Sequence, residues 1–188
     1  MKISQERQRG FASTEYHLVL GTIIFLGVIC FMVFPRVQSH QRAAEQMEVV
    51  ESIRARVDAK ISVDGLAAFP DRKSVIDQGV LMQEQLSTFW GPIGWRASTQ
   101  DGLGCSSSAS VACNAYTLEW GHLSNRFCVE FGAKGLSMGT HVQVGSEGFK
   151  GVGGKGGIEA PSAQIKKMAK ACYNQDEPTL AITFPHPR

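Results

Sequence analysis

Glu15 stands where a carboxylate is hardest to keep: over the 20 residues from Tyr16 to Pro35 there is no formal charge unless His17 is protonated. At roughly 1.5 Å per residue a helix of that length spans about 30 Å, the thickness of a bilayer's hydrocarbon core. The chemistry open to Glu15 is therefore electrostatic. A lone carboxylate in hydrocarbon costs several kcal/mol, and a cation brought alongside relieves that cost. Interfacial snorkelling, with the carboxylate reaching back to water, is the plainer alternative.

The same run sorts the cysteines. Lys2, Arg7 and Arg9 outweigh Glu6 before it, which sets the N-terminus on the cytoplasmic side and exports everything after Arg36, although Arg36 and Arg42 weaken the asymmetry. Cys30 then lies within the run as a small apolar side chain, while Cys105, Cys113, Cys128 and Cys172 are exported. In an oxidising space these four suggest two disulfides. Three pairings are open; the short serine- and alanine-rich loop from Cys105 to Cys113 closes easily, which leaves Cys128 with Cys172, tying a strand to the C-terminal helix. On the chain-entropy model the short loop contributes about 2.5 kcal/mol and the long one about 4 kcal/mol. Zinc has little support, because no CxxC knuckle is present and no histidine falls at ligand spacing.

Other reactive types fail on spacing. "GFKGVGGKGG" is glycine-rich, but Phe149 stands where a phosphate loop begins with glycine, and Gly156 follows Lys155 in place of the hydroxyl residue that holds magnesium. His17, His40, His122, His141 and His186 form no HExxH pair, and "GCSSSAS" is not a nucleophile elbow. Asp176 and Glu177 in "NQDEP" read as turn chemistry, with a calcium loop as a remote alternative. No catalytic residue, metal or cofactor is expected. The net charge of +2 sits in the first ten residues, and the rest of the chain balances, so no footprint for direct nucleic-acid binding is present.

The elements that must position these residues follow from periodicity. A secretory signal would end in small residues before a cut, whereas Phe34, Pro35 and Arg36 end this run, so it is retained. Beyond it Val37, Ala44, Met47, Val50, Ile53, Val57 and Ile61 trace one face of a helix that continues to about Ser62, with a kink allowed at Pro35 and an end at Gly65. Residues 67 to 110 read as a long ordered loop with one short helix at Asp71–Gln78. Strand candidates are "GWRAST", "AYTLEWGHL", "RFCVEF", "HVQV" and "LAITF", the signal of an antiparallel sheet of about five strands. A last helix opens at Pro161 and Ser162, faced by Ile165, Met168, Ala169 and Cys172, with Lys166, Lys167 and Lys170 on its wet side. The fold class is α+β: a long N-terminal helix, membrane-spanning in its first half, packed on that sheet.

The join "RG|FASTE" at Arg9 to Glu15, directly before the apolar run, resembles the N-terminus of type IV prepilins. "VLGTI" at 19–23, "GVLMQEQLSTFWGPIGWRAS" at 79–98 and "KACYNQDEPTLAITF" at 170–184 resemble the type IVb class, in particular major pilins of conjugative-plasmid thin pili. The leader is short for that class, Phe11 is an unusual first mature residue, and the Cys105 and Cys113 pair has no counterpart carried over. The resemblance implies a leader, 1–10, cut between Gly10 and Phe11 by a prepilin peptidase that also methylates the new Phe11 amine. It implies a filament-core helix at 11–35, an exported pilin domain at 36–188 whose first part, 36–62, is the amphipathic half of the helix, and a disulfide-bounded region from Cys128 to Cys172. It gives Glu15 an assembly role. The implied partners are further copies of the chain in a helical filament, an assembly ATPase, an inner-membrane platform and a secretin. The precursor is expected in the inner membrane and the assembled subunit outside the cell, for adhesion, aggregation or conjugation. A type II secretion pseudopilin and a minor or tip pilin share the same signature, and a membrane-anchored enzyme is the third class.

Overall fold

The computed structural model describes the backbone of residues 4–61, 63–105, 113–152 and 162–186, and the side chains of those residues except 4–15, 35–36 and 63–64. Two compact units divide the chain, Met1–Gln41 and Arg42–Arg188. Helix α1, Ser4–Lys60, contributes to both. In the first unit its described side chains from Tyr16 to Phe34 are exposed, and they form an apolar surface with no covering layer.

In the second unit α1 buries Ala43, Met47, Val50, Ile53 and Val57, followed by Ile61 just past its end. These recur every three or four residues, the stripe that packs a helix on a core. The stripe differs from the sequence expectation at its start: Ala44 is exposed and Ala43 is buried. One residue is about 100° of rotation, enough to carry Ala44 off the face that Met47 and Val50 define. Val37, expected to begin the stripe, is exposed in the first unit. The helix stops at Lys60, whose Nζ donates to the Gly79 carbonyl at 2.6 Å, and a 3-10 turn follows at Val63–Ala68.

The loop predicted over 67–110 holds more order than its punctuation suggests. Helix α2, Arg72–Asp77, lies where the sequence places it, capped by Asp71, whose Oδ1 accepts from the Ser74 amide at 2.8 Å. A two-stranded hairpin follows, β1 at Ser87–Thr88 and β2 at Gly91–Pro92. The main sheet comprises β3 (Gly94–Ser98), β4 (Ala115–Trp120), β5 (His141–Val144), β6 (Glu147–Lys150) and β7 (Leu180–Pro185). All its pairings are antiparallel, in the order β3-β4-β7-β5-β6.

The strand count holds but its membership changes. "RFCVEF" is not a strand; it opens helix α3, Asn125–Met138, where the Ser124 hydroxyl accepts from the Phe127 amide. Six residues show alternation, but over fourteen the buried positions Phe127, Cys128, Phe131, Gly132, Gly135 and Leu136 have helical spacing. The fifth strand is Glu147–Lys150, reached from β5 by the two-residue turn Gly145–Ser146. Gly145 sits at φ +57°, which glycine adopts at no steric penalty. Helix α4, Ser162–Tyr173, runs as expected from Ser162; Pro161 lies outside the described residues.

One face of the sheet meets the helices. The Tyr116 ring stacks between Trp95 and Phe184, with centroids at 4.8 and 5.7 Å, and Trp120 meets Phe131 edge-on at 4.8 Å. The Arg54 guanidinium of α1 lies 5.8 Å from the Phe184 ring. Helix α3 approaches its neighbours through glycine: a Cβ at Gly132 would come within 2.7 Å of Met168 Sδ on α4, and one at Gly135 within 2.6 Å of Ile182 Cδ1 on β7. On the opposite face Ser98, Thr117 and Thr183 form a buried hydroxyl chain with links of 2.9 Å. Each hydroxyl both fills space and satisfies its neighbour.

Candidate functional site

Gly10, Phe11 and Glu15 fall within the first turns of α1, and their side chains lie outside those described. Further along the same helix Leu18, Ile23, Phe25, Phe31 and Phe34 are each more than half exposed. The helix carries an 18-residue window of mean hydropathy 2.6, long and apolar enough by length and composition to cross a membrane. Its one hydroxyl in mid-run is satisfied internally, since Thr22 Oγ1 donates to the Leu18 carbonyl at 2.8 Å. Such back-bonding lets a threonine sit in an apolar environment. Cys30 is a free, exposed thiol.

In the folded unit Cys105 is bonded to Cys113 and Cys128 to Cys172, with Cα separations of 5.8 and 5.9 Å. The second bridge joins α3 to α4, two helices, where the sequence expectation has a strand at Cys128. Residues 106–112 and 153–161, which include the serine-rich loop and the second half of the glycine run with Lys155, lie outside the described residues, while Gly148 to Lys150 of that run belong to β6. Lys166, Lys167 and Lys170 are exposed on α4. Glu177 pairs with His122 at 2.6 Å, linking the turn before β7 to the turn after β4, and no cluster of three or more metal-ligating side chains occurs among the described residues.

Two arrangements escaped the sequence. His186 is buried just past β7, its ring Nε2 2.7 Å from the Ile61 carbonyl, a bond that ties this part of the chain to the residue after α1; its Nδ1 lies 3.2 Å from Asp58 Oδ1. A carbonyl only accepts, so Nε2 is the donor there. At the β1–β2 tip, Trp90 lies against Phe127 with centroids 4.0 Å apart, and Arg42 stacks over the exposed Phe89 ring at 4.6 Å. Neither arrangement carries a local motif, because each joins residues far apart in sequence that only the fold brings together.

No protein-family model and no curated protein matches the chain. Among solved structures it is similar to TcpA, a type IV pilin from Vibrio cholerae El Tor biotype, at 12% identity and a TM-score of 0.49, over 78% of this chain and 98% of that one.

Proposed function

We propose that this chain is a structural subunit of a type IV pilus of the type IVb class, made as a membrane precursor and polymerised through its N-terminal helix into an extracellular filament. One observation supports this reading most: the exposed apolar helix surface from Tyr16 to Phe34 comes directly after the Arg9–Gly10–Phe11 join and Glu15. Such a surface needs a cover, lipid in the precursor and other helices in a fibre.

The mechanism has two stages. A prepilin peptidase cuts after Gly10 and methylates the Phe11 amine, leaving a cation at the new N-terminus. As a cytoplasmic ATPase, a membrane platform and a secretin carry the subunit into the growing fibre, the Phe11 amine of one subunit pairs with Glu15 of its neighbour. The pair relieves the cost of each charge in an apolar surrounding. A subunit out of register leaves both charges unpaired, so the pair selects alignment. The disulfide-bonded unit supplies the fibre's outer surface and contributes no catalysis.

In cells, Glu15→Ala is expected to leave leader removal intact while lowering the yield of sheared fibres at least about a hundredfold, the scale of the roughly 3–5 kcal/mol lost when one partner of a buried ion pair is removed. Unchanged yield removes the pairing. Gly10→Ala is expected to block processing and leave the uncut precursor; conversion to a mature chain at the parent rate would overturn the role of Gly10, and a mature chain heavier by one methylene would place the cut before residue 10.

A further inference from the structure

The strand register sets Gly94 of β3, Glu119 of β4, Ala181 of β7, Gln143 of β5 and Gly148 of β6 in one row across the face of the sheet turned away from the helices. Small residues alternate there with larger polar ones, so part of the row is sunken. A cavity of about 420 Å³ opens above it, floored by Gly94 and Ala181 and walled by Arg96, Glu119, Gln143 and Pro92. That volume lies in the range of small-molecule sites, about 300 to 1,000 Å³.

The walls hold donors and acceptors of near-zero net charge. Arg96 Nη2 meets Glu119 Oε1 at 3.1 Å in a single contact, with both side chains more than a third exposed. Arg96 Nε is buried and has no hydrogen-bond partner among the described residues. Glu119 Oε2 lies over Gly94, 3.4 Å from where a Cβ would stand. Gln143 commits one N–H to the Gly145 carbonyl at 2.9 Å, a bond that leaves its own carbonyl oxygen an acceptor. A phosphate here would meet the Glu119 carboxylate, and an ammonium would meet the Arg96 guanidinium, so an ion of either sign gains one contact and suffers one repulsion. Adjacent hydroxyls, each both donor and acceptor, match guanidinium, carboxylate and amide together. The exposed Pro92 ring offers an apolar wall to the C–H face of a pyranose.

We propose that this trough is a binding site for a neutral saccharide. The site uses only residues of the folded unit and does not depend on filament assembly. The test is saturation-transfer NMR on the full chain in a polyoxyethylene detergent, with the methyl glycosides of glucose, galactose, mannose and N-acetylglucosamine as probes. At least one is expected to show transfer with a Kd in the millimolar range. Glu119→Gln and Gln143→Ala, both at the surface, are each expected to weaken it about fivefold, the effect of one lost hydrogen bond. Ala181→Phe, which fills the floor, is expected to abolish transfer if its melting temperature matches the parent. No transfer from any of the four glycosides, or transfer that Glu119→Gln and Gln143→Ala both leave unchanged, overturns the proposal.

Discussion

His141 shows how a single side chain ties the outer face of the sheet together. It stands opposite Thr183 in the β5–β7 register, between positions where a Cβ at Gly102 would come within 2.9 Å of Nδ1 and one at Gly148 within 2.7 Å of Nε2. Burial lowers its pKa from the usual 6.5, and the nearby Asp101 carboxylate opposes that shift. Because the folded form holds the proton less tightly than the unfolded chain, this contribution to stability is present above about pH 6.5 and is lost as the pH falls below it. Urea unfolding at pH 7.5 and 5.0 checks the sign: His141→Gln is expected to lose less stability on acidification than the parent. Tyr116 tests a different kind of burial. Its hydroxyl is buried with no hydrogen-bond partner among the described residues, and burial raises its pKa. Tyr116→Phe removes an unsatisfied group and keeps the ring stack, so thermal melting is expected to show equal stability or a gain of about 1 kcal/mol.

At the scale of elements, the amphipathic half of α1 makes the sharpest prediction. Ala43 is fully buried and Ala44 exposed, so Ala43→Lys is expected to destabilise the monomer by about 3 kcal/mol and Ala44→Lys to change it by less than about 0.5 kcal/mol. Equal effects would put the stripe in the wrong register. The Cys128–Cys172 bridge closes a sequence separation of 44 residues, and its removal by paired serine substitution is expected to cost about 4 kcal/mol in denaturant melts. These elements also divide what the sequence discloses from what it hides. The α1 stripe, α2, α4 and four of the five sheet strands carry a period or cap within their own span. Helix α3 was hidden because Arg126 to Phe131 alternates locally, and its helical face appears only when the window reaches Leu136. Strand β6 was hidden because Gly148 in "EGFK" weakens any strand signal, and its pairing with β5 supplies what the four residues lack. The trough was hidden for a deeper reason: its row takes one residue from each strand, so only the register reveals it.

At the scale of the whole molecule the two units have opposite solvent preferences. The first exposes large apolar side chains from Tyr16 to Phe34, and the second buries a core that includes Val50, Tyr116, Phe131 and Phe184. Fractionation is expected to place the full chain with membranes and to release a chain lacking residues 1–35 to the soluble fraction, with the same disulfide content. The apolar run from Tyr16 to Phe34 was legible because its signal is local, and the proposed cleavage signal at Arg9 to Glu15 is local in the same way. The cation proposed for Glu15, the Phe11 amine, comes from the resemblance and not from any basic side chain nearby, because in the proposed mechanism it is made by cleavage and supplied by another copy. The most direct measurement is therefore N-terminal sequencing and intact mass of the main protein in fibres sheared from the source cell. The expected result is this chain starting at a methylated Phe11; fibres without it, or a chain still beginning at Met1 and confined to the membrane, would contradict assembly by this route.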